Sequence, residues 1–137
     1  MNVSAIVRGT ILVILLAAVG LLTAWFIGAG KATTPQVITV TALWVLPGFL
    51  TGKQVDEAGT LHGLLAGLAG GAVLYLLLPL ISGLESAPSF LAPLSTEGRP
   101  LLLILAGWWG AFGGLVADNR RLIRARRAAR QGRKQND

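Results

Sequence analysis

Four stretches of this chain stay apolar for longer than a strand or an ordinary core helix requires. They run over residues 5–28, 35–51, 60–81 and 100–117. A helix crossing the hydrocarbon core of a bilayer takes about 20 mainly apolar residues, within roughly 17 to 25. The first, third and fourth stretches meet that length. The second sits at its lower edge and carries Thr39, Thr41 and Pro47. Within a bilayer every backbone amide needs a partner inside the protein, which leaves helices and closed barrels as spanning forms. Long unbroken runs of Leu, Ile, Val and Ala select helices. The expected fold is therefore all-α: an integral membrane bundle of four transmembrane helices over residues 1–118, followed by a basic tail over 119–137. Threonine and proline are tolerated in the second span where neighbouring helices satisfy the freed backbone groups, so that span is expected among the others.

Hydrophobic residues make up 53% of the chain and charged residues 13%, against roughly 25% charged in soluble domains. The net charge of +6 suggests nucleic acid until the cations are located. Eight of the twelve Lys and Arg fall between Arg120 and Lys134, in a tail rather than on a domain face. The absence of cysteine excludes disulfides, thiol chemistry and Cys-type zinc sites.

With four spans, the N-terminus, the turn over residues 52–59 and the tail share one side. That side holds Arg8, Lys53 and the eight tail cations, and the other holds Lys31 and Arg99. Positive charge flanking membrane helices stays cytoplasmic. Both ends are thus expected inside a bacterial inner membrane, with the 82–99 loop outside and Pro88, Phe90, Leu91 and Pro93 near the interface. Trp25 lies near a span boundary, whereas Trp44, Trp108 and Trp109 are expected between helices. A cleaved signal peptide is the alternative reading of residues 1–30, with Arg8 as its basic region and residues 28–30 as its cleavage site. The apolar run over 11–27 exceeds the roughly 7 to 15 residues of such a segment.

The third span holds Gly59, Gly63, Gly67 and Gly71, one every four residues. Lipid tails are as apolar as leucine, so membrane helices associate through close contact, which small residues permit. At 3.6 residues per turn a spacing of four draws a slowly drifting stripe. These glycines form a groove, widened by Ala66 and Gly70. Partners for it are Gly110 and Gly114 with Ala106 on the fourth span, Gly20, Ala24 and Gly28 on the first, and Gly48 and Gly52 at the end of the second. The groove serves packing within one bundle, or leaves a face for a homo-oligomer or a partner membrane protein.

Ionisable residues inside spans mark transporters and proton relays. Here Asp56, Glu57, Glu85 and Glu97 fall in loops, and Asp118 closes the fourth span. His62, the one histidine, lies a turn into the third span and is expected at the interface, bonded to water or to the 52–59 turn. A pH-sensing role is its functional alternative. No second histidine or cysteine completes a metal site, and no nucleophile, base and orienting group come together. The expectation is no enzyme, no cofactor and no metal.

The tail NRRLIRARRAARQGRK carries the strongest functional signal. As a helix it places Arg120, Arg124 and Arg127 on one face and Leu122, Ala125 and Ala129 on another. Basic clusters just cytoplasmic of a span attract anionic lipid headgroups at about 1 kcal/mol per residue. Arg120, Arg121, Arg124, Arg126, Arg127 and Arg130 are the candidate headgroup ligands, and a topology anchor is the alternative reading. Nucleic acid is not expected, because no aromatic residues interleave the arginines to stack on bases.

AIVRGTILVILL (5–16), PGFLTGK (47–53), EAGTLHGLLAG (57–67) and GGLVADN (113–119) together resemble the YrzE-like proteins, small bacterial four-helix membrane proteins of unknown function. Pro47 and the arginine tail depart from that pattern. The resemblance implies a multi-pass membrane protein and no activity. Two functions remain: a non-enzymatic scaffold or accessory subunit, and a small oligomeric pore, permease or holin-like protein.

Overall fold

A computed structural model describes residues 2–26, 33–82 and 99–136. The loops holding Lys31, Glu85, Phe90 and Glu97, together with Gly28, lie outside the described residues, as does the side chain of Trp25. All described elements are helical: α1 (Val3–Phe26), α2 (Thr34–Thr41), a 3₁₀ turn (Ala42–Trp44), α3 (Val45–Lys53), α4 (Gly59–Ser82) and α5 (Arg99–Asn136). Four segments are long and apolar enough to cross a membrane: Val3–Ala24, Pro35–Lys53, Gly59–Ile81 and Arg99–Gln131. The described residues accordingly form helices alone, with four candidate spans among them.

The second span is not one regular helix. Pro47 has no N–H to give Leu43, and its ring crowds that carbonyl. The chain tightens into the 3₁₀ turn immediately before α3. Threonine hydroxyls bond carbonyls of their own helix: Thr41 Oγ1 donates to Val37 O at 2.8 Å and Thr51 Oγ1 to Pro47 O at 2.8 Å. Trp44, Pro47, Gly48 and Thr51 are buried, so this span does lie among the others.

α4 touches α1, α3 and α5, and its contact with α5 is the most extensive in the chain. Val13, Trp44, Leu74, Leu78, Leu102 and Ala106 form the apolar core. Trp109 is half-buried and donates its indole N–H to Thr41 Oγ1 at 3.3 Å. Trp108 corrects the expectation for that residue: it is 66% exposed and points away from the bundle.

Glycine spacing sets how closely the helices approach. A Cβ on Gly63 would collide with the Gly110 carbonyl, and one on Gly110 with the Gly63 carbonyl. Gly67 meets the Ala106 carbonyl, Gly71 would place a Cβ 2.9 Å from Ala106 Cβ, and Gly114 meets the Gly59 carbonyl. These pairs run antiparallel. Gly110 also meets Gly48, and the Cα of Gly114 would lie 3.0 Å from a Cβ on Gly52, a parallel register. Each of these α5 glycines therefore sits between a glycine of α3 and one of α4. Gly20 differs, because a Cβ there would meet only Val40 Cγ1 at 3.5 Å, an ordinary contact.

Candidate functional site: the polar end of the bundle

The start of α1, the α3–α4 turn and residues 118–121 of α5 converge at one end of the bundle. α4 begins after Ala58, whose side chain offers no acceptor for the orphan amides of the first turn. Asp118 of α5 supplies the cap instead. Its Oδ1 accepts from Gly59 N at 3.0 Å, and its Oδ2 accepts from Thr60 N and Thr60 Oγ1, each at 2.9 Å. Gly59 is glycine for this approach, since a Cβ there would stand 2.6 Å from Asp118 Oδ1. The left-handed residue of the turn is Ala58, with φ 54°.

Arg121 closes the turn from the same helix. Its guanidinium donates to the carbonyls of Gly52 (2.8 Å), Val55 and Asp56, and lies 3.5 Å from Asp118 Oδ1. One carboxylate and one guanidinium, three residues apart on α5, thus hold both the end of α3 and the start of α4.

His62 is 5% exposed, buried at this end of the bundle. Its Nε2 accepts from the Asn2 backbone N–H at 2.9 Å, which assigns the ring proton to Nδ1, donating to Ala58 O at 2.9 Å. The bond to Ala58 lies in the expected turn, and the bond to Asn2 ties α1 to α4. Asn2, Gln54, Asp56, Glu57 and His62 line an open recess of about 580 Å³ here. With both His62 nitrogens engaged, the groups it offers a ligand are the exposed Gln54, Asp56 and Glu57 side chains. Among the described residues no three His, Cys, Asp or Glu side chains are placed to hold a metal ion.

The candidate headgroup arginines fall into three environments. Arg121 is spent on the turn. Arg120 lies over the Phe49 ring, 5.2 Å from its centroid. Arg124, Arg126, Arg127 and Arg130 are exposed along α5, which continues unbroken past Asp118 to Asn136. At the opposite end Arg99 lies over the Tyr75 ring at 5.0 Å. Comparison with protein-family models, with curated proteins and with solved structures finds no match to this chain.

Proposed function

We propose that this protein is a non-enzymatic membrane scaffold or accessory subunit, with its polar end and the basic continuation of α5 at the cytoplasmic leaflet of a bacterial inner membrane. The observation that carries the reading is the filling of the bundle interior. Apolar side chains and glycine backbones in contact occupy the centre from Leu102 to Gly114. The buried Thr41 and Thr51 hydroxyls there bond carbonyls of their own helix, whereas a conduit through one protomer would need open polar groups and water.

The dimensions support the placement. Arg99 to Asp118 spans 19 residue steps, about 28 Å at 1.5 Å each, close to the roughly 30 Å hydrocarbon thickness. The whole of α5, at 38 residues, is about 57 Å long, so its arginine-rich half projects beyond the hydrocarbon. The glycine contacts serve packing within the protomer, and the outward faces of α1 and α5 meet lipid, a second copy or a partner membrane protein.

Reporter fusions at Gln54 and Gln131 are expected to read cytoplasmic, and those at Lys31 and Ser89 external. A cytoplasmic reading at Ser89 removes the four-span arrangement. Reconstituted proteoliposomes are expected to leak ions and small solutes no faster than empty vesicles. Sustained flux would replace this reading with an oligomeric pore.

A further inference from the structure

The geometry points to a site for the phosphate of an anionic phospholipid between α3 and α5, formed by Lys53 and Arg120 around the Phe49 ring. Phe49 and Lys53 are four residues apart on α3 and therefore share one face of that helix. Helical side chains lean back toward the preceding turn, so Lys53 leans toward the turn that holds Phe49. Arg120 reaches the same ring from α5, its guanidinium 5.2 Å from the centroid. Arg120 of α5 thus stacks on a ring carried by the same face of α3 as Lys53.

Neither Lys53 nor Arg120 has an ion-pair partner among the described residues. Among the described residues the ion pair present joins Arg121 to Asp118. The Asp118 carboxylate faces Gly59 and Thr60 on α4, while Asp56 and Glu57 line the recess beside Asn2 and His62. Arg120 offers planar, paired donors and Lys53 a compact point charge, both suited to phosphate.

Depth favours lipid as the source of the phosphate. Arg120 lies two residue steps beyond Asp118, about 3 Å along the axis, and Arg130 lies twelve steps beyond, about 18 Å. The headgroup layer adds roughly 5 to 8 Å to each side of the hydrocarbon. Arg120 therefore falls within headgroup reach, whereas Arg126, Arg127 and Arg130 lie past it along the helix. The site rests on the proposal that this end of the bundle faces the anionic leaflet.

The test is lipid retention by native mass spectrometry of the full chain, with phosphatidylglycerol and phosphatidylcholine offered in equal amounts. Wild-type protein is expected to retain phosphatidylglycerol preferentially. Lys53→Gln or Arg120→Gln is expected to weaken that retention about fivefold each, the factor that roughly 1 kcal/mol per cation represents. Phe49→Leu lowers it by a smaller factor, and the triple variant Arg126→Gln, Arg127→Gln, Arg130→Gln leaves it unchanged. Loss in the triple variant with retention in Lys53→Gln and Arg120→Gln overturns the site while leaving the leaflet placement standing. Equal retention of the two lipids by wild type also overturns it. Competition by millimolar glycerol phosphate as strong as that by the lipid would reassign the site to a soluble phosphate. Circular dichroism and thermal unfolding of each variant check folding, and the Gln54 reporter tests the leaflet placement separately.

Discussion

Adding one methyl group to Gly67 tests the helix contacts directly. A Cβ there would overlap the Ala106 carbonyl oxygen and stand 2.8 Å from its carbonyl carbon and 3.3 Å from Gly107 Cα. The obstacles are backbone atoms, which cannot rotate aside, so α4 and α5 must separate locally along their shared seam. Overpacking of this kind costs about 1–3 kcal/mol. Alanine recovers about 1 kcal/mol of helix propensity over glycine, leaving Gly67→Ala up to about 2 kcal/mol less stable than the parent. Gly67→Leu is expected to be worse, because a branched side chain pushes the helices further apart. Gly20→Ala is the internal control: its new methyl meets Val40 Cγ1 at 3.5 Å and needs no movement. It should be neutral or more stable by up to about 1 kcal/mol. Gly63→Ala and Gly110→Ala should combine at less than the sum of their costs, since each separates the same two backbones. Unfolding in mild detergent with rising dodecyl sulfate measures stability, and light scattering reports oligomeric state. A stable monomer replacing a dimer would place the face between subunits. Gly67→Leu protein as stable and as oligomeric as the parent would refute the packing argument.

Removing the carboxylate in Asp118→Ala strips the cap from Gly59 and Thr60 and is expected to cost about 1–2 kcal/mol. Amide exchange at those two residues should accelerate, and unchanged protection would show that the cap is dispensable. Two truncations separate the roles of the tail. Ending the chain after Ile123 keeps Arg120 and Arg121 and should leave unfolding within about 0.5 kcal/mol of the parent. Ending it after Asn119 removes the Arg121 bonds to Gly52, Val55 and Asp56, and should cost about 1 kcal/mol because that side chain is 36% exposed. Equal stability of the two truncations would deny Arg121 any part in holding the turn.

Much of the architecture is legible because membrane spans are written in length and apolarity. The limits of the reading are equally physical. Trp108 and Trp109 are consecutive, about 100° of helix rotation apart, and spacing alone does not say which turns inward; Trp109 reaches Thr41 while Trp108 is 66% exposed. Pro47 reads in sequence as tolerated within one span, and whether a proline kinks a helix or tightens the turn before it depends on neighbours that one segment does not contain. His62 sits a turn into its helix, a position that suggests an interface. Its burial depends on Asn2, sixty residues earlier, whose backbone N–H finds the ring.

The glycine rows show how far a local pattern can go. A four-residue glycine spacing recurs in α3, α4 and α5, and spacing alone gives no rule for pairing them. The pairing follows from topology: α4 antiparallel to α5, and α3 parallel to α5, so that Gly110 and Gly114 each meet glycines from two helices. The polar end follows the same logic. α4 opens on Ala58, Gly59 and Thr60 without an acceptor at its cap position, a deficit visible in the sequence. The acceptor that answers it, Asp118, closes a glycine-rich span on α5 and stands three residues before Arg121. The glycines of α5 bring its backbone against α3 and α4. That proximity is what lets one carboxylate and one guanidinium reach the turn between them, so the packing face and the polar end are parts of one arrangement.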